Sequence, residues 1–325
     1  MKFLVIQTAF IGDVVLATGI IEKLHAHFPG SHIDFLVRKG NEALLQNHPY
    51  LHEVLIWDKK SSKLANLWKL GKTIRQRKYD YVINVQRFAA TGLLTAFSGA
   101  KETIGFDKNP LSRFFTKRVK HVIGDIHEIE RNNELLKDLT GNVVMKPRLY
   151  PSANDMAVVQ HYKRPPYITI SPASVWFTKQ YPKDKWINFL NRLSPQYSVY
   201  ILGAPGDAAT GEEIKKISTH TSIINLCGKL SFLQSAALMQ DAVMNYVNDS
   251  APMHFASAVN APVTAIYCST LPSFGFGPLS DKKIIVEKQE PLACRPCGLH
   301  GRPACPLGHF KCAYDIREEQ LLNSL

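Results

Sequence analysis

The chain has 325 residues, of which 45% are hydrophobic and 20% are charged. This length and composition predict a globular protein with room for two α/β domains. No run of about 18 uncharged apolar residues occurs, so we expect no transmembrane helix. The chain enters a strand pattern at once, without a signal-peptide pattern, and we therefore expect a cytoplasmic protein with reduced cysteines.

The charge is unevenly distributed along the chain. The net charge is +12, and residues 1–150 carry +9 of it. Such a field attracts nucleic acid, anionic lipid head groups or a phosphorylated substrate, although each cluster by itself is typical of a solvated surface. No zinc-finger, RRM or KH pattern is present, so we expect no nucleic-acid partner. The basic clusters are Lys59-Lys60, the helix pattern through Lys69, Lys72, Arg75, Arg77 and Lys78, and residues 113–120.

The first sixteen residues predict a strand, a loop and a helix. Only Gly12 lies in the loop, whereas a dinucleotide-binding turn needs three glycines. Asp13 stands at the helix start, where a carboxylate would repel a phosphate and stay ionised. A carboxylate at this edge of a parallel sheet suits a general base for a hydroxyl proton. A capping role in the first turn is the alternative, and this stretch alone favours it.

Strand and helix patterns alternate through the first half. Predicted strands follow at residues 32–37, 54–57, 81–85 and 101–106, with a basic helix through 64–74 and another helix over 127–139. This alternation predicts a parallel sheet covered on both faces. A proline-rich stretch, residues 146–166, predicts the domain boundary, which we place between residues 155 and 156.

The second half repeats the alternation. Strands are predicted at residues 167–170, 199–202, 243–247 and, as the last strand, 263–267; helices are predicted from Trp186, over 231–240 and over 255–259. Two doubly wound domains with ligands at the carboxyl ends of their strands predict a central cleft between them.

Polar residues follow several of these strands. Asp249-Ser250 offers a carboxylate, a hydroxyl and backbone N–H groups at a helix start. Lys179 lies in a polar loop and would neutralise a diphosphate leaving group. The loop that begins at Gly203 is a weak phosphate-loop pattern, because Pro205 lacks an N–H donor. His254 is alone on an apolar helix, where a structural histidine is the common case.

Four segments together resemble the bacterial lipopolysaccharide heptosyltransferases, glycosyltransferase family 9. They occur in the family's order and span nearly the whole chain. In the last of them, residues 248–254, Ala251 and Pro252 depart from the family's small-residue pattern. The segments are residues 6–13 (IQTAFIGD), residues 171–186 with Lys179 and Trp186, residues 203–207 (GAPGD), and residues 248–254 (NDSAPMH).

The resemblance implies a GT-B fold, in which two Rossmann-like, doubly wound parallel-sheet domains face a central cleft. Residues 1–155 would bind the acceptor and residues 156–325 the nucleotide sugar. The family's enzymes invert the sugar's configuration, need no metal and use ADP-heptose. The implied acceptor is an anionic lipopolysaccharide core precursor, reached by peripheral contact with the inner face of the cytoplasmic membrane.

The resemblance also implies residue roles. Asp13 would be the base, and Lys179 with Ser174 would hold the diphosphate. Further donor contacts would come from Gly203, Asp249, Ser250 and His254. Acceptor contacts would come from Lys59, Lys60, His127 and Arg131, the last two sharing a helix face at a spacing of four residues.

The family motifs do not account for Cys294, Cys297, Cys305 and Cys312, which lie within 19 residues. Four cysteines among prolines and glycines in a reducing compartment are typical of a structural zinc site. The spacing fits no standard zinc finger closely, so reduced thiols or disulfides remain alternatives. We expect no catalytic cofactor.

Two other functions fit parts of the sequence. A GT-B-type sugar-nucleotide epimerase would use the same donor motifs without an acceptor. A non-catalytic binder of anionic lipid or nucleic acid would use only the basic first half.

Overall fold

The computed structural model describes residues 1–122, 124–164 and 166–325; Pro165, part of the predicted boundary stretch, lies outside them. The chain divides into two compact units, Met1–Tyr150 and Pro151–Leu325. The division falls five residues before the boundary predicted at 155/156. A cut at 155/156 would pass through a helix, Ala153–Val159, that packs against another helix of the second unit, Phe232–Gln240.

The first unit is a doubly wound parallel sheet. Its strand order is β3-β2-β1-β4-β5-β6, so the order reverses between β1 and β4. The strands are β1 (Lys2–Ile6), β2 (His32–Arg38), β3 (Glu53–Trp57), β4 (Tyr81–Asn84), β5 (Glu102–Phe106) and β6 (Lys117–Val119). The helices are α1 (Ile11–His27), α2 (Lys63–Arg77), α3 (Ala89–Ala96), α4 (Glu128–Glu134) and α5 (Lys137–Thr140).

The second unit has the same topology. Its strand order is β12-β11-β10-β7-β8-β9, again all parallel, with the reversal between β7 and β10. The strands are β7 (Tyr167–Ser171), β8 (Ser198–Ile201), β9 (Ile223–Asn225), β10 (Met244–Asn248), β11 (Val263–Tyr267) and β12 (Lys283–Glu287). The helices are α6 (Ala153–Val159), α7 (Lys183–Arg192), α8 (Ala208–Ile217), α9 (Phe232–Gln240), α10 (Ala251–Ala258), α11 (Lys311–Tyr314) and α12 (Glu318–Leu322).

Short 3-10 helices complete the secondary structure. They span Glu42–Leu45, Ser112–Phe114, Gln160–Tyr162, Phe177–Lys179, Pro205–Asp207 and Pro272–Phe274. None of the helices in the described part of the chain is long and apolar enough to cross a membrane.

Burial explains why the central strands could be predicted. Residues 3–6 of β1 and all five residues of β7, β10 and β11 are buried. A strand covered by helices on both faces must be apolar at nearly every position, and this gives a continuous apolar run in the sequence. The predicted α/β class with two doubly wound parallel sheets is confirmed.

Of the four edge strands in the described residues, β3 was predicted, whereas β6, β9 and β12 were missed. The prediction that residues 263–267 form the last strand is wrong, because β12 follows it and pairs with β11. β6 and β9 were not predicted either, and each has only three residues. β6 is the basic sequence Lys-Arg-Val, which is half-exposed and has no apolar run. An edge strand packs less surface, so its sequence carries a weaker pattern.

The helix predicted over residues 127–139 is interrupted. α4 ends at Glu134 and α5 begins at Lys137, and the two leucines between them, Leu135 and Leu136, are buried. His127 is the N-cap of α4, with extended backbone, and its Nδ1 accepts a hydrogen bond from the Ile129 N–H at 3.3 Å. The predicted helix face shared by His127 and Arg131 is therefore wrong, because His127 is not helical.

Candidate functional site

In the first unit, the point where the strand order reverses carries a polar loop. The loop runs from β1 to α1, and Gln7 at its start is buried. The Gln86 side-chain amide, which follows β4, donates a hydrogen bond to Gln7 Oε1 and so links the two loops on either side of the reversal. Asn41 Nδ2 donates to the Ala9 carbonyl at 3.0 Å. The loop that leads to Asp13 is thus held from two directions, at the edge where open parallel sheets bind ligands.

Asp13 is the third residue of α1 and is half-buried. Its Oδ2 accepts a hydrogen bond from the N–H of Phe10, the N-cap residue, at 3.2 Å. The capping role weighed from the sequence is therefore present in the structure. It engages Oδ2 and leaves the carboxylate in the positive end of the α1 dipole, which stabilises the ionised form needed by a base.

Glu128 and Arg131 form an ion pair close to Asp13. Arg131 Nε lies 2.9 Å from Glu128 Oε2, and Arg131 Nη1 donates to the Val122 carbonyl at 3.3 Å. Burial raises the pKa of Glu128, the negative charge of Asp13 raises it further, and Arg131 opposes both. Only 4% of Arg131 is exposed, so it does not lie on an exposed basic surface, and its contact with the acceptor stays a prediction. The pair instead forms part of the buried surroundings of Asp13.

The two lysines predicted to bind acceptor differ in their surroundings. Lys59 Nζ donates to the Thr8 carbonyl at 2.8 Å and to Thr8 Oγ1 at 3.0 Å, and lies 4.7 Å from the centre of the Trp57 ring. It therefore supports the loop that leads to Asp13. Lys60 is exposed, and its backbone N–H donates to Asp58 Oδ1 at 2.9 Å.

In the second unit, the reversal of strand order brings Lys179 and Asp249 together. Lys179 ends a 3-10 helix, Phe177–Lys179, in the loop after β7, and Asp249 directly follows β10. Lys179 Nζ lies 2.7 Å from Asp249 Oδ2, and both side chains are largely buried. Thr270 Oγ1, from the loop after β11, donates to the same Oδ2 at 2.6 Å. Three loops at one edge of the sheet thus meet at a single carboxylate oxygen.

Asn248, which ends β10 and is fully buried, fixes this arrangement. Its Oδ1 accepts a hydrogen bond from the Tyr181 N–H at 2.9 Å, and its Nδ2 donates to the Pro172 carbonyl at 2.8 Å. The amide therefore bonds both ends of the lysine loop. Since a buried amide is costly to leave without partners, these bonds specify the loop conformation.

The remaining predicted donor residues lie in the same unit. Ser250 is the N-cap of α10, and its hydroxyl donates to the Asn248 carbonyl at 3.3 Å. His254 is buried one turn further along α10. Ser174 is half-buried in the lysine loop, where its carbonyl accepts from Gln180 Nε2 at 2.7 Å. Gly203 follows β8, and a Cβ placed there would lie 2.9 Å from Cys227 Sγ, so this position has no room for a side chain.

The four cysteines Cys294, Cys297, Cys305 and Cys312 are all unbridged. The disulfide interpretation is therefore not the one the structure adopts. Burial, together with Cys294, Cys305 and Cys297, raises the pKa of the Cys312 thiol to about 12, so the other three thiols lie within electrostatic range of Cys312. Cys294 Sγ lies 3.9 Å from His309 Nε2.

One closely spaced group of side chains of the kind that binds metals occurs in the described residues, and it lies in the first unit, away from the four cysteines. Ligand atoms of Asp34, His52 and Glu53 lie within 4.8 Å of one another. Arg77 Nη1 binds both carboxylates, at 2.9 Å from Asp34 and 2.6 Å from Glu53, and His52 Nδ1 lies 3.0 Å from Asp34. The group is at the amino-terminal ends of β2 and β3, the edge opposite Asp13. It is a network of ion pairs that joins the strand ends.

The chain thus forms two Rossmann-like units. At the ligand-binding edge of its sheet, the first unit has a carboxylate and the second has a lysine–carboxylate pair. The sequence model of glycosyltransferase family 9, the heptosyltransferases, matches residues 67–299. The chain belongs to this family. The resemblance predicted from four short segments is thus confirmed.

Curated family 9 relatives extend over most of the chain. Lipopolysaccharide heptosyltransferase 3 of Escherichia coli is 28% identical over 283 residues, which cover 80% of this chain and 82% of the relative. Lipooligosaccharide heptosyltransferase 2 of Haemophilus influenzae is 22% identical and covers all of this chain and 98% of the relative.

Solved family 9 structures share the fold. A glycosyltransferase of the family from Veillonella parvula superimposes with a TM-score of 0.85 at 21% identity, over 99% of this chain and 95% of that one. The ADP-heptose lipopolysaccharide heptosyltransferase II of E. coli superimposes with a TM-score of 0.80 at 21% identity, over 100% and 97%. The predicted GT-B fold is confirmed.

Two residues of the candidate site, Thr270 and Glu128, were missed in the sequence. Thr270 stands three residues after β11, and the signal that points to it is the polar sequence Ser269-Thr270 after a buried strand. Glu128 follows the predicted acceptor residue His127, but its contact with Arg131 needs the helix start to lie at residue 128. Each contact depends on where an element ends, which sequence patterns fix only to within a few residues.

Proposed function

We propose that this family 9 protein transfers a heptose, with inversion, from ADP-heptose to an anionic lipopolysaccharide core precursor. The observation that carries the proposal is the ion pair of Lys179 and Asp249, which lies where the strand order of the second unit reverses. Asp13 occupies the corresponding position in the first unit. The E. coli and H. influenzae relatives are heptosyltransferases of lipopolysaccharide and lipooligosaccharide, which supports the sugar and the acceptor class.

In the proposed reaction, Asp13 accepts the proton of the acceptor hydroxyl. A bond forms between the hydroxyl oxygen and the anomeric carbon of the heptose. The bond between that carbon and the diphosphate oxygen breaks, and ADP leaves with the bonding electrons. Attack from the face opposite the leaving group inverts the configuration. Asp13 suits the base because the α1 dipole keeps its carboxylate ionised until the hydroxyl proton arrives.

Lys179 would stabilise the departing diphosphate. Its ammonium group has three N–H donors, and the contact with Asp249 uses one of them. Asp249 thus holds Lys179 in place, while other N–H donors can turn to phosphate oxygens. A cation that is already positioned stabilises developing negative charge without reorganisation. We propose for this reason that catalysis is independent of a metal ion, since Lys179 supplies the positive charge.

The other donor contacts follow from position. Ser250 and the first N–H groups of α10 would bind phosphate, and Ser174 with its loop would lie along the diphosphate. Asp249 Oδ1 and His254 suit hydroxyl groups of the ribose or the heptose. Gly203, in the loop after β8, would contact the nucleotide through its backbone.

The first unit would bind the acceptor and contact the inner face of the cytoplasmic membrane. Its helix α2 exposes 78% of Leu64 and 81% of Trp68, and Lys69 and Lys72 are exposed beside them. Apolar side chains surrounded by lysines suit the boundary between anionic head groups and acyl chains. Lys60, exposed just before α2, extends the same basic surface.

The test is transfer by the purified full chain from ADP-heptose to a heptose-deficient lipopolysaccharide core acceptor. We expect ADP release that depends on the acceptor and a product with inverted anomeric configuration by NMR. Interconversion of the sugar nucleotide without acceptor would establish an epimerase instead. Binding of anionic vesicles or nucleic acid without any turnover of sugar nucleotides would establish the non-catalytic alternative.

A further inference from the structure

The segment between β12 and α11 is a long connection without regular structure. All 23 residues from 288 to 310 are described, and none of them is helical or in a strand. Loops of this length in compact domains are uncommon and are usually functional, disordered or linker segments. Three of the four cysteines lie in this segment, and the fourth, Cys312, is buried in α11 at its end.

The segment packs against the loop that carries Lys179. Thr178, next to Lys179, is buried, and its backbone N–H donates to the Arg302 carbonyl at 3.1 Å. The Arg302 N–H donates in return to Thr178 Oγ1 at 2.8 Å. Gly301 has φ +79°, and a Cβ there would lie 2.9 Å from Lys179 Cγ. The residues between Cys297 and Cys305 therefore pack directly against the predicted catalytic lysine.

A second contact links the segment to the partner of Asp249. The Cys297 N–H donates to the Ser269 carbonyl at 2.8 Å, and Ser269 Oγ donates to Thr178 Oγ1 at 3.0 Å. Arg295 Nη2 donates to the Thr270 carbonyl at 2.9 Å. Thr270 is the residue that binds Asp249. Residues 288–310 therefore contact the neighbours of both Lys179 and Asp249.

Chain turns follow the cysteines of this segment. Cys294 and Cys297 are separated by two residues, and Gly298, which follows with φ +77°, turns the chain at that point. Gly308, with φ +70°, turns the chain again after Cys305, and its N–H donates to the Cys305 carbonyl at 3.1 Å. Two cysteine turns followed by a buried cysteine supply the four thiols that a structural zinc site needs.

We propose that Cys294, Cys297, Cys305 and Cys312 bind one zinc ion, and that the closed loop positions Lys179 and Thr270 for donor binding. The ion would be bound with zinc–sulfur distances of about 2.3 Å, so the sulfurs would lie about 3.8 Å apart. In the described residues, the cysteines do not yet form a group within 4.8 Å, so binding must draw them together. The irregular segment can make this adjustment without breaking a strand or a helix. The positioning half of the proposal rests on the proposed function.

The first experiment measures metal in the full-length protein purified without chelators. We expect about one equivalent of zinc, and tetrathiolate absorption bands when cobalt replaces it. Cys297→Ser should lower the metal content, whereas Cys227→Ser, which changes a buried cysteine outside the segment, should not. Iron in place of zinc on the same thiolates would support the site and correct the ion. Metal-free protein with four titratable thiols would overturn the proposal.

The second experiment measures ADP binding by calorimetry in zinc-loaded, chelated and zinc-restored wild-type protein, which avoids any variant that fails to fold. Loss of preorganisation should weaken ADP binding by about tenfold, and zinc should restore it. Unchanged affinity after complete zinc removal would overturn the positioning role. Zinc-loaded protein that binds no ADP would contradict the proposed donor instead, so the two failures are distinguishable.

Discussion

The two units place chemically different groups at the same topological position. In the first unit, four residues, 7–10, separate β1 from α1, and Asp13 lies in the first turn of the helix. In the second unit, eleven residues, 172–182, separate β7 from α7, and this longer loop carries Lys179 to Asp249. A short loop fixes a residue through the helix that follows it. A long loop needs partners from other strands, and here Asn248 and Asp249 supply them.

This difference explains how one fold can supply both halves of a transfer reaction. The helix start of the first unit favours a negative group, which can act as a base. The second unit pairs a largely buried carboxylate with lysine, and in the proposed reaction the lysine ammonium would bind the leaving diphosphate. The comparison predicts that substitutions in the first unit affect the acceptor step and those in the second affect the donor.

The largest effect is expected from Asp13→Asn. Asparagine can still accept the Phe10 N–H, so the fold and ADP affinity should persist. Loss of a general base should lower kcat by about a hundredfold or more. Steady-state kinetics with saturating donor and acceptor would measure this. Asp138→Asn, on a carboxylate exposed in the same unit, is the control. Wild-type kcat for Asp13→Asn would show that the base assignment is wrong.

The second-largest effect is expected from Lys179→Met. It removes the cation while keeping an unbranched side chain, and it should lower kcat by about tenfold to a hundredfold as well as raise the donor KM. Lys185→Met is a matched control, because Lys185 is similarly buried in the same unit and pairs with Glu318 at 3.0 Å. A raised donor KM with unchanged kcat would mean that Lys179 binds donor equally in the ground and transition states.

A smaller, salt-dependent effect is expected from charge reversal on the basic surface of the first unit. Lys60→Glu with Lys72→Glu should raise the acceptor KM several-fold at low salt and leave the donor KM unchanged. The difference from wild type should shrink as salt rises, because exposed charges are screened over about 10 Å at 0.1 M. Lys216→Glu, exposed in the second unit, is the control. A change confined to the donor KM would contradict the division between the units.

The smallest effect is expected from Thr270→Val. Removing the hydroxyl leaves the shape nearly unchanged but takes one hydrogen bond from the buried Asp249. Such a bond contributes about 1 kcal/mol, which corresponds to roughly a fivefold loss of ADP affinity. Thr270→Ser keeps the hydroxyl and should restore most of the affinity. If the Thr270→Val and Thr270→Ser variants bound ADP equally well, the hydrogen bond to Asp249 would have no part in donor binding.

The sequence by itself determined the architecture and the position of Asp13. Central strands buried on both faces must be continuously apolar, and helices between them must repeat at the helical period, so both patterns are local. Asp13 lies three residues after its N-cap, and its setting depends on one loop and one helix. The order of four short segments was enough to predict the family.

Only the tertiary structure decided which distant groups meet. Arg131 was predicted to share a helix face with His127, but its burial and its contact with Glu128 depend on where α4 begins. Thr270 and Asp249 are 21 residues apart, Lys179 and Asp249 are 70 apart, and Thr178 and Arg302 are 124 apart. These contacts form where strand ends gather at one edge of a sheet. No local period encodes such a meeting, because the sheet order that creates it is fixed by the packing of the whole unit.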